Sequence, residues 1–248
     1  MEVPEVAARY GRRLAIVVPY RDRAEHLSQL LPHFQTYFQR DKLDSFLKVS
    51  FHVVEQAGTG PFNLGKVRNC GYMLSRDDSD YTCFHDVDYL PIWADYSWTP
   101  TAARLIWHGL RLPEDPEYFF GAANLFDNSV FEKLNGFPNV YWGWGGEDQE
   151  MLKRCILTDL AVERRDGTFQ ALPHPDRGYT KPGGPMTEEG KRNLALFEER
   201  HARMLELMPQ DGLSNLDFKL LRKGPIALRG ATVPNAFHYL VDIGEPAA

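Results

Sequence analysis

The chain has 248 residues, 43% hydrophobic and 25% charged, with a net charge of −6. That composition is ordinary for a globular protein and excludes disordered and disulfide-dense classes. The acidic balance, with a pI near 5.8, lacks the basic footprint of a nucleic-acid binder. An acidic protein that binds a nucleotide diphosphate needs local cations or a metal. Cys70, Cys83 and Cys155 are odd in number and far apart, which points to free thiols and a reducing compartment. No apolar run reaches the roughly 18 residues of a membrane helix, and MEVPEVAARYGRR has no signal-peptide core. A cytoplasmic location without an integral membrane segment is therefore expected.

Residues 14–19 (LAIVVP) form a short apolar run that predicts a buried parallel strand. Residues 24–39 carry Leu27, Leu30, Leu31, Phe34 and Phe38 at helical spacing. Residues 49–55 are strand-like, 58–62 a loop and 66–75 helical. Residues 81–85 read as a strand that runs into Asp86-Val87-Asp88. This alternation predicts an α/β fold with a parallel sheet and helices on both faces. Ligands on such sheets bind beyond the carboxyl ends of the strands.

Further on, residues 118–126 predict a strand and 128–134 a short helix capped by Asp127 or Asn128. A Gly/Trp loop at 141–146 precedes a helix from 147 to about 158. Residues 172–185, rich in proline and glycine, read as a long loop of the kind that closes over sites. One helix is expected over 187–208, with Thr187 as N-cap. Short strands, including 237–242, follow. No repeat or linker is visible, so one domain is expected.

Several clusters could carry chemistry. Asp86 and Asp88, two residues apart at a strand end, can hold a hard cation through oxygen, or form no more than a solvated turn. Such a cation would offset charge on a departing diphosphate. In Trp142-Gly143-Trp144-Gly145-Gly146-Glu147-Asp148-Gln149 the tryptophans can stack on sugars, the glycines permit close approach, and one carboxylate can act as general base. The bland alternative is a capping cluster with core tryptophans. Arg21 and Arg23 follow the first strand, where guanidinium matches phosphate oxygens, and Tyr20 could stack on a base. Phe62, Asn63, Lys66, Arg68 and Asn69 would converge on the same sheet edge. His174, followed by Asp176, is the most plausible metal-binding histidine.

Taken together, VVPYRDRAEHL, FNLGKVRNCGY, YTCFHDVDYLP, NGFPNVYWGWGGEDQE, DGLSNLDFKLL and VDIGEP resemble the β-1,4-galactosyltransferase family in sequence and order, from about residue 15 to 246. The resemblance implies a single GT-A type domain, with a nucleotide-binding part at about 14–95 and an acceptor and mobile-loop part at about 96–248, and a UDP-sugar donor. It assigns Pro19, Tyr20, Arg21, Arg23, Phe62, Asn63, Asp86 and Trp144 to the donor, and Asp88 and His174 to the metal. Glu147 matches a sugar-binding carboxylate and Asp148 the catalytic base. Phe119, Gly145, Gly146 and Gln149 fall where acceptor and sugar are held. Leu64 and Gln149 depart from an Arg and an Asp of relatives, and Phe119 and Ala122 from donor-selecting residues. Relatives draw a further ligand from the positions of Ala171 or Asp176, so Asp176 is expected to complete the metal set, which suits Mn²⁺, with Mg²⁺ as the alternative. Cys83 matches a disulfide cysteine of secretory relatives but has no partner near Trp98, which fits a non-secreted, bacterial version.

The expected reaction is an inverting transfer of galactose from UDP-galactose to a hydroxyl of a glycan acceptor. The alternatives are a UDP-N-acetylgalactosamine transferase of the same fold, and a UDP-sugar- or carbohydrate-binding protein that has lost catalysis.

Overall fold

The computed structural model describes residues 11–40, 46–106, 120–173, 178–180, 184–228 and 230–246. Strand β1 (Arg13–Tyr20) carries five consecutive fully buried residues, Leu14 to Val18. Such a run suits a central strand covered on both faces. Strands β2 (Lys48–Gln56) and β3 (Tyr81–His85) flank it in parallel. Helix α1 (Ala24–Gln39) buries Leu30, Leu31, Phe34 and Phe38 against Leu14, Ile16 and Val18. Helix α2 (Leu64–Ser75) covers the opposite face, where Val17, Val54, Val67 and Cys70 share a core. Gly71 makes this close: a Cβ there would lie 2.3 Å from Val17 Cγ1.

The remaining strands are β4 (Tyr89–Trp93), β5 (Ala102–Arg104), β6 (Ala123–Asp127), β7 (Val162–Arg164), β8 (Thr168–Ala171), β9 (Lys219–Leu228) and β10 (Ala231–Asp242). Among the described residues, eight strands form one sheet in the order β7-β5-β6-β3-β1-β2-β10-β9, and β4 pairs with β8. The central β3-β1-β2-β10 block is parallel, while β6 and β9 bring antiparallel pairings to either side. Helix α3 (Asn128–Lys133) is capped by Asp127, which accepts from Ser129 N. Helices α4 (Glu147–Leu157), α5 (Glu188–His201) and α6 (Met204–Leu207) complete the set.

Three expectations need correction. Of the strand expected at 118–126, residues 118 and 119 lie outside the described residues, and β6 begins only at Ala123, because Ala122 adopts φ +65°. The helix expected over 187–208 breaks after His201, near Arg200, whose side chain is drawn to Glu150 and Asp211. The C-terminal strands are long rather than short. Pro225 is tolerated because β9 is an edge strand, and Pro234 falls at a register shift of β10.

Among the described residues, no helix is long and apolar enough to cross a membrane. The three cysteines are unpaired and buried.

Candidate active site

Strands β1 and β3 end at one edge of the parallel block, as do β2 and the loop that leads into α2. A cavity of about 530 Å³ opens there. Pro19, Arg21, Arg23, Phe62 and Leu64 form one wall. Asp22, between the two arginines, sits at φ +54°. The Arg21 guanidinium lies 5.1 Å from the Phe62 ring centre and donates to Gly60 O at 2.8 Å. Asp86, Val87, Asp88 and Tyr89 form the floor. Asp86 N donates to Ala122 O at 2.7 Å, and Leu172 N to Asp88 O at 2.7 Å. The chain leaving β8 is thus tied to the Asp88 backbone, and Pro173 O lies 3.1 Å from His26 Nε2.

The opposite wall comes from the Gly/Trp loop and the start of α4. Trp144, 37% exposed, Gly145, Glu147, Asp148 and Gln149 line it. Trp144 stands edge-on to Tyr179, and a Cβ on Gly178 would lie 2.5 Å from its indole. Trp142 is a core residue instead, packed with Phe137 and Met151 in the α2-side cluster. The two tryptophans therefore divide between the two readings of that motif.

Arg68 joins the two halves. It is fully buried. Its Nη1 donates to Asp148 Oδ1 at 2.5 Å and its Nη2 to Asp86 Oδ1 at 3.0 Å. Burial opposes its cation, but Asp148, Asp86 and Glu147 overcome this and hold its pKa above the ordinary arginine value. Glu147 is 5% exposed, and among the described residues its Oε2 has no partner. Burial, and then the charge of Asp148, raises its pKa well above the carboxylate range. Burial also raises Asp148, against the pull of Arg68 and with the help of Asp86. The start of α4 favours both anions through its unsatisfied N–H groups.

Three expected contact residues do not reach the cavity. Tyr20 packs on the α1-side core, edge-on to His238. Asn63 is fully buried and caps α2: its Oδ1 accepts from Lys66 N at 2.8 Å and its Nδ2 donates to Asn139 O at 2.7 Å. Gly146 supplies the φ +99° turn that starts α4, where a Cβ would strike the Tyr141 ring. Phe119, His174 and Asp176 lie outside the described residues. Among the described residues, no three acidic, His or Cys side chains could share a metal. Asp88 is nonetheless a hard oxygen donor on the cavity floor, the type that Mn²⁺ or Mg²⁺ accepts.

Glu189 of α5, Val87 and Tyr89 also line the cavity and were not expected from the sequence. Glu189 packs where Gly143 has no side chain. Gly143 and Glu189 lie far apart along the chain, which hides that proximity from the sequence. Arg68 was expected at this edge but not as a bridge. A charge between Val67 and Cys70, inside a helix whose residues from Val67 to Tyr72 are all buried, was the available signal.

This architecture is shared with solved glycosyltransferases of the GT-A class. The catalytic domain of Drosophila β-1,4-galactosyltransferase 7, in complex with xylobiose, superposes with a TM-score of 0.70 at 23% identity, covering 94% of each chain. A D211N mutant of that enzyme, in complex with manganese, UDP-Gal and xylobiose, gives 0.72 at 22% identity, again over 94% of each chain. The class that fold and site define is the GT-A glycosyltransferase fold. Residues 4–98 match the family model for the N-terminal region of glycosyl transferase group 7, and residues 108–175 that for the N-terminal domain of galactosyltransferase. Mouse (Mus musculus) β-1,4-galactosyltransferase 5 is 36% identical over 218 residues, which are 83% of this chain and 51% of the relative. β-1,4-galactosyltransferase 3 of Cricetulus griseus is 34% identical over 228 residues, 86% of this chain and 53% of the relative. The chain belongs to glycosyltransferase group 7, the β-1,4-galactosyltransferase family. It spans about half the length of these curated relatives.

Proposed function

We propose that this protein is an inverting, metal-dependent transferase that moves galactose from UDP-galactose to a sugar hydroxyl of a glycan, forming a β-1,4 linkage. The observation that carries the reading is one cavity in which the Asp86-Val87-Asp88 floor meets the Glu147-Asp148 pair, with Arg21 and Arg23 on the wall beyond. The names of the relatives support galactose and the linkage. The manganese, UDP-Gal and xylobiose held by the Drosophila enzyme are in keeping with the donor, the cation and a glycan acceptor.

Arg21 and Arg23 meet the diphosphate, and Phe62 and Pro19 enclose the nucleoside, a reading supported by their position on one cavity wall. Asp86 offers its second oxygen to donor hydroxyls. Asp88, with His174 and Asp176, would hold Mn²⁺ or Mg²⁺, which when bound offsets the charge gained by departing UDP. Trp144 gives a sugar ring a flat apolar face, and the Glu147 Oε2 gives it a hydrogen-bond partner. Asp148 takes the proton of the acceptor hydroxyl as that oxygen bonds to the anomeric carbon and the bond to UDP breaks. We also infer a reducing, cytoplasmic setting, supported by three unpaired cysteines.

UDP release from UDP-galactose and from UDP-N-acetylgalactosamine, measured with Mn²⁺ and a panel of sugar acceptors, tests the proposal. Acceptor-dependent turnover that prefers UDP-galactose is the expected result. Preference for the N-acetylated donor would reassign the sugar. Tight donor binding with no turnover across the panel would make the protein a binding module.

A further inference from the structure

A guanidinium taken out of water loses several kcal/mol of hydration that the protein must offset. Two buried arginines of this chain offset it differently. Arg154 of α4 donates to Glu150 and to the carbonyls of Leu134, Gly136 and Asp211, all away from the cavity. Arg68 donates instead to two carboxylates that both line the cavity and come from different elements. Each bond uses one oxygen, Asp148 Oδ1 and Asp86 Oδ1. The guanidinium carbon lies 4.8 Å from the centre of the Phe137 ring. Phe137 is itself fully buried, and its carbonyl accepts from Asn69, the residue after Arg68. The fork is therefore set before any substrate arrives.

We propose that Arg68 is a positioning residue of the transfer reaction: it clamps Asp148 by Oδ1 so that Oδ2 is presented to the acceptor hydroxyl, and it fixes that carboxylate against the donor-side Asp86. This rests on the transferase reading given above. Positioning of this kind is a large part of what an active site supplies, since reacting groups must be held in near-attack geometry. The clamp also sets charge. Asp148 is faced by Arg68 from α2, by Asp86 beyond β3 and by Glu147 beside it on α4. Glu189, Asp88, Arg21 and Arg23 lie elsewhere around the same cavity. Without Arg68 the base sits among acids and holds its proton to higher pH, and a protonated carboxyl cannot accept the acceptor's proton.

The test compares wild type with Arg68→Met and Arg68→Lys, using UDP-galactose, Mn²⁺ and the best acceptor of the panel. Arg68→Met is expected to lower kcat on the order of 10²-fold, the size of general-base help, and to raise KM for UDP-galactose, because the donor-side Asp86 loses its anchor as well. The acid limb of its kcat/KM profile should move to higher pH. Arg68→Lys keeps the charge but not the fork, so the acid limb should return while kcat recovers only in part. If Arg68→Met does not fold, the Lys variant still decides: full kcat with one ammonium overturns the clamp. Activity that falls only in proportion to the folded fraction, with KM and the acid limb unmoved, reduces Arg68 to a structural pair and overturns the proposal. An active wild type with indifferent variants overturns the role of Arg68 alone. A wild type silent with every donor and acceptor overturns the transferase reading and this role together.

Discussion

Asp148 and Glu147 are adjacent on one helical turn, yet their surroundings separate their tasks. Asp148 is ion-paired to Arg68 with its side chain 24% exposed, whereas Glu147 is buried with an oxygen that has no partner among the described residues. The first can exchange a proton with a bound hydroxyl, and the second can only be satisfied by one. Asp148→Asn is therefore expected to lower kcat by roughly 10²–10⁴-fold while leaving the KM for UDP-galactose close to wild type. Near-wild-type turnover would remove Asp148 as base. Asp88→Ala should instead abolish the Mn²⁺ dependence of turnover, and a variant with an unchanged metal titration would clear Asp88 of that role. At this scale the sequence was legible where a residue type has few uses. Asp-x-Asp at a strand end and a carboxylate pair after a Gly/Trp loop reach the cavity as expected. Asn63 and Gly146 stay off the cavity lining, because a cap and a left-handed turn demand the same residue types as a binding contact.

The motifs most specific to the family turn out to be joints between elements. Asn139, within NGFPN, donates to Gly212 O and Asn215 Oδ1, and its Oδ1 accepts from Asn69. It thereby ties α2 to the DGLSN segment behind the site. One helix face further on, Glu150 accepts from Arg154, Arg200 and Tyr141, and Arg200 also reaches Asp211. This buried network orients α4, whose first turn carries Glu147 and Asp148. Arg154→Met strands Glu150 with one cation fewer, and the expected cost is about 3–5 kcal/mol, read as a lower urea midpoint at unchanged slope. Breaking the exposed pair Arg203–Glu206 with Arg203→Met should leave the midpoint in place. A small shift for Arg154→Met would show that α4 is held by its apolar contacts instead. The β-α-β-α-β order and the Asp127 and Thr187 caps could be read from the chain, since they depend on local periodicity and short-range hydrogen bonds. The break after His201 could not, because it coincides with pairs that span 11 and 50 residues.

Across the whole molecule, two sets of buried titratable groups pull stability in opposite directions with pH. His52 is buried between Ser50 Oγ and the Tyr239 hydroxyl, at 2.8 and 3.1 Å. Burial, aided by Lys223, lowers its pKa to about 4, and burial lowers His85 likewise to about 4. The unfolded chain, with histidines near 6.5, therefore binds more protons between the two values. Stability from these groups is full above about pH 6.5 and is lost as pH falls toward 4, by at most about 1.4 kcal/mol per pH unit for each. Glu147 has the reverse sign. Its folded pKa is raised, so the folded chain holds the extra proton, and stability falls as pH rises beyond the ordinary carboxylate range. A carboxyl buried where it must hold its proton thus costs stability at neutral pH. Glu147→Gln should accordingly raise the urea midpoint at about pH 8, lose that advantage at about pH 4, and lower transfer activity throughout. His52→Gln, which keeps a polar group between Ser50 and Tyr239, should flatten the acid side of the stability curve by about one proton. If Glu147→Gln is no more stable than wild type at the higher pH, the carboxylate is not strained, and its burial is offset by groups other than the charge of Arg68.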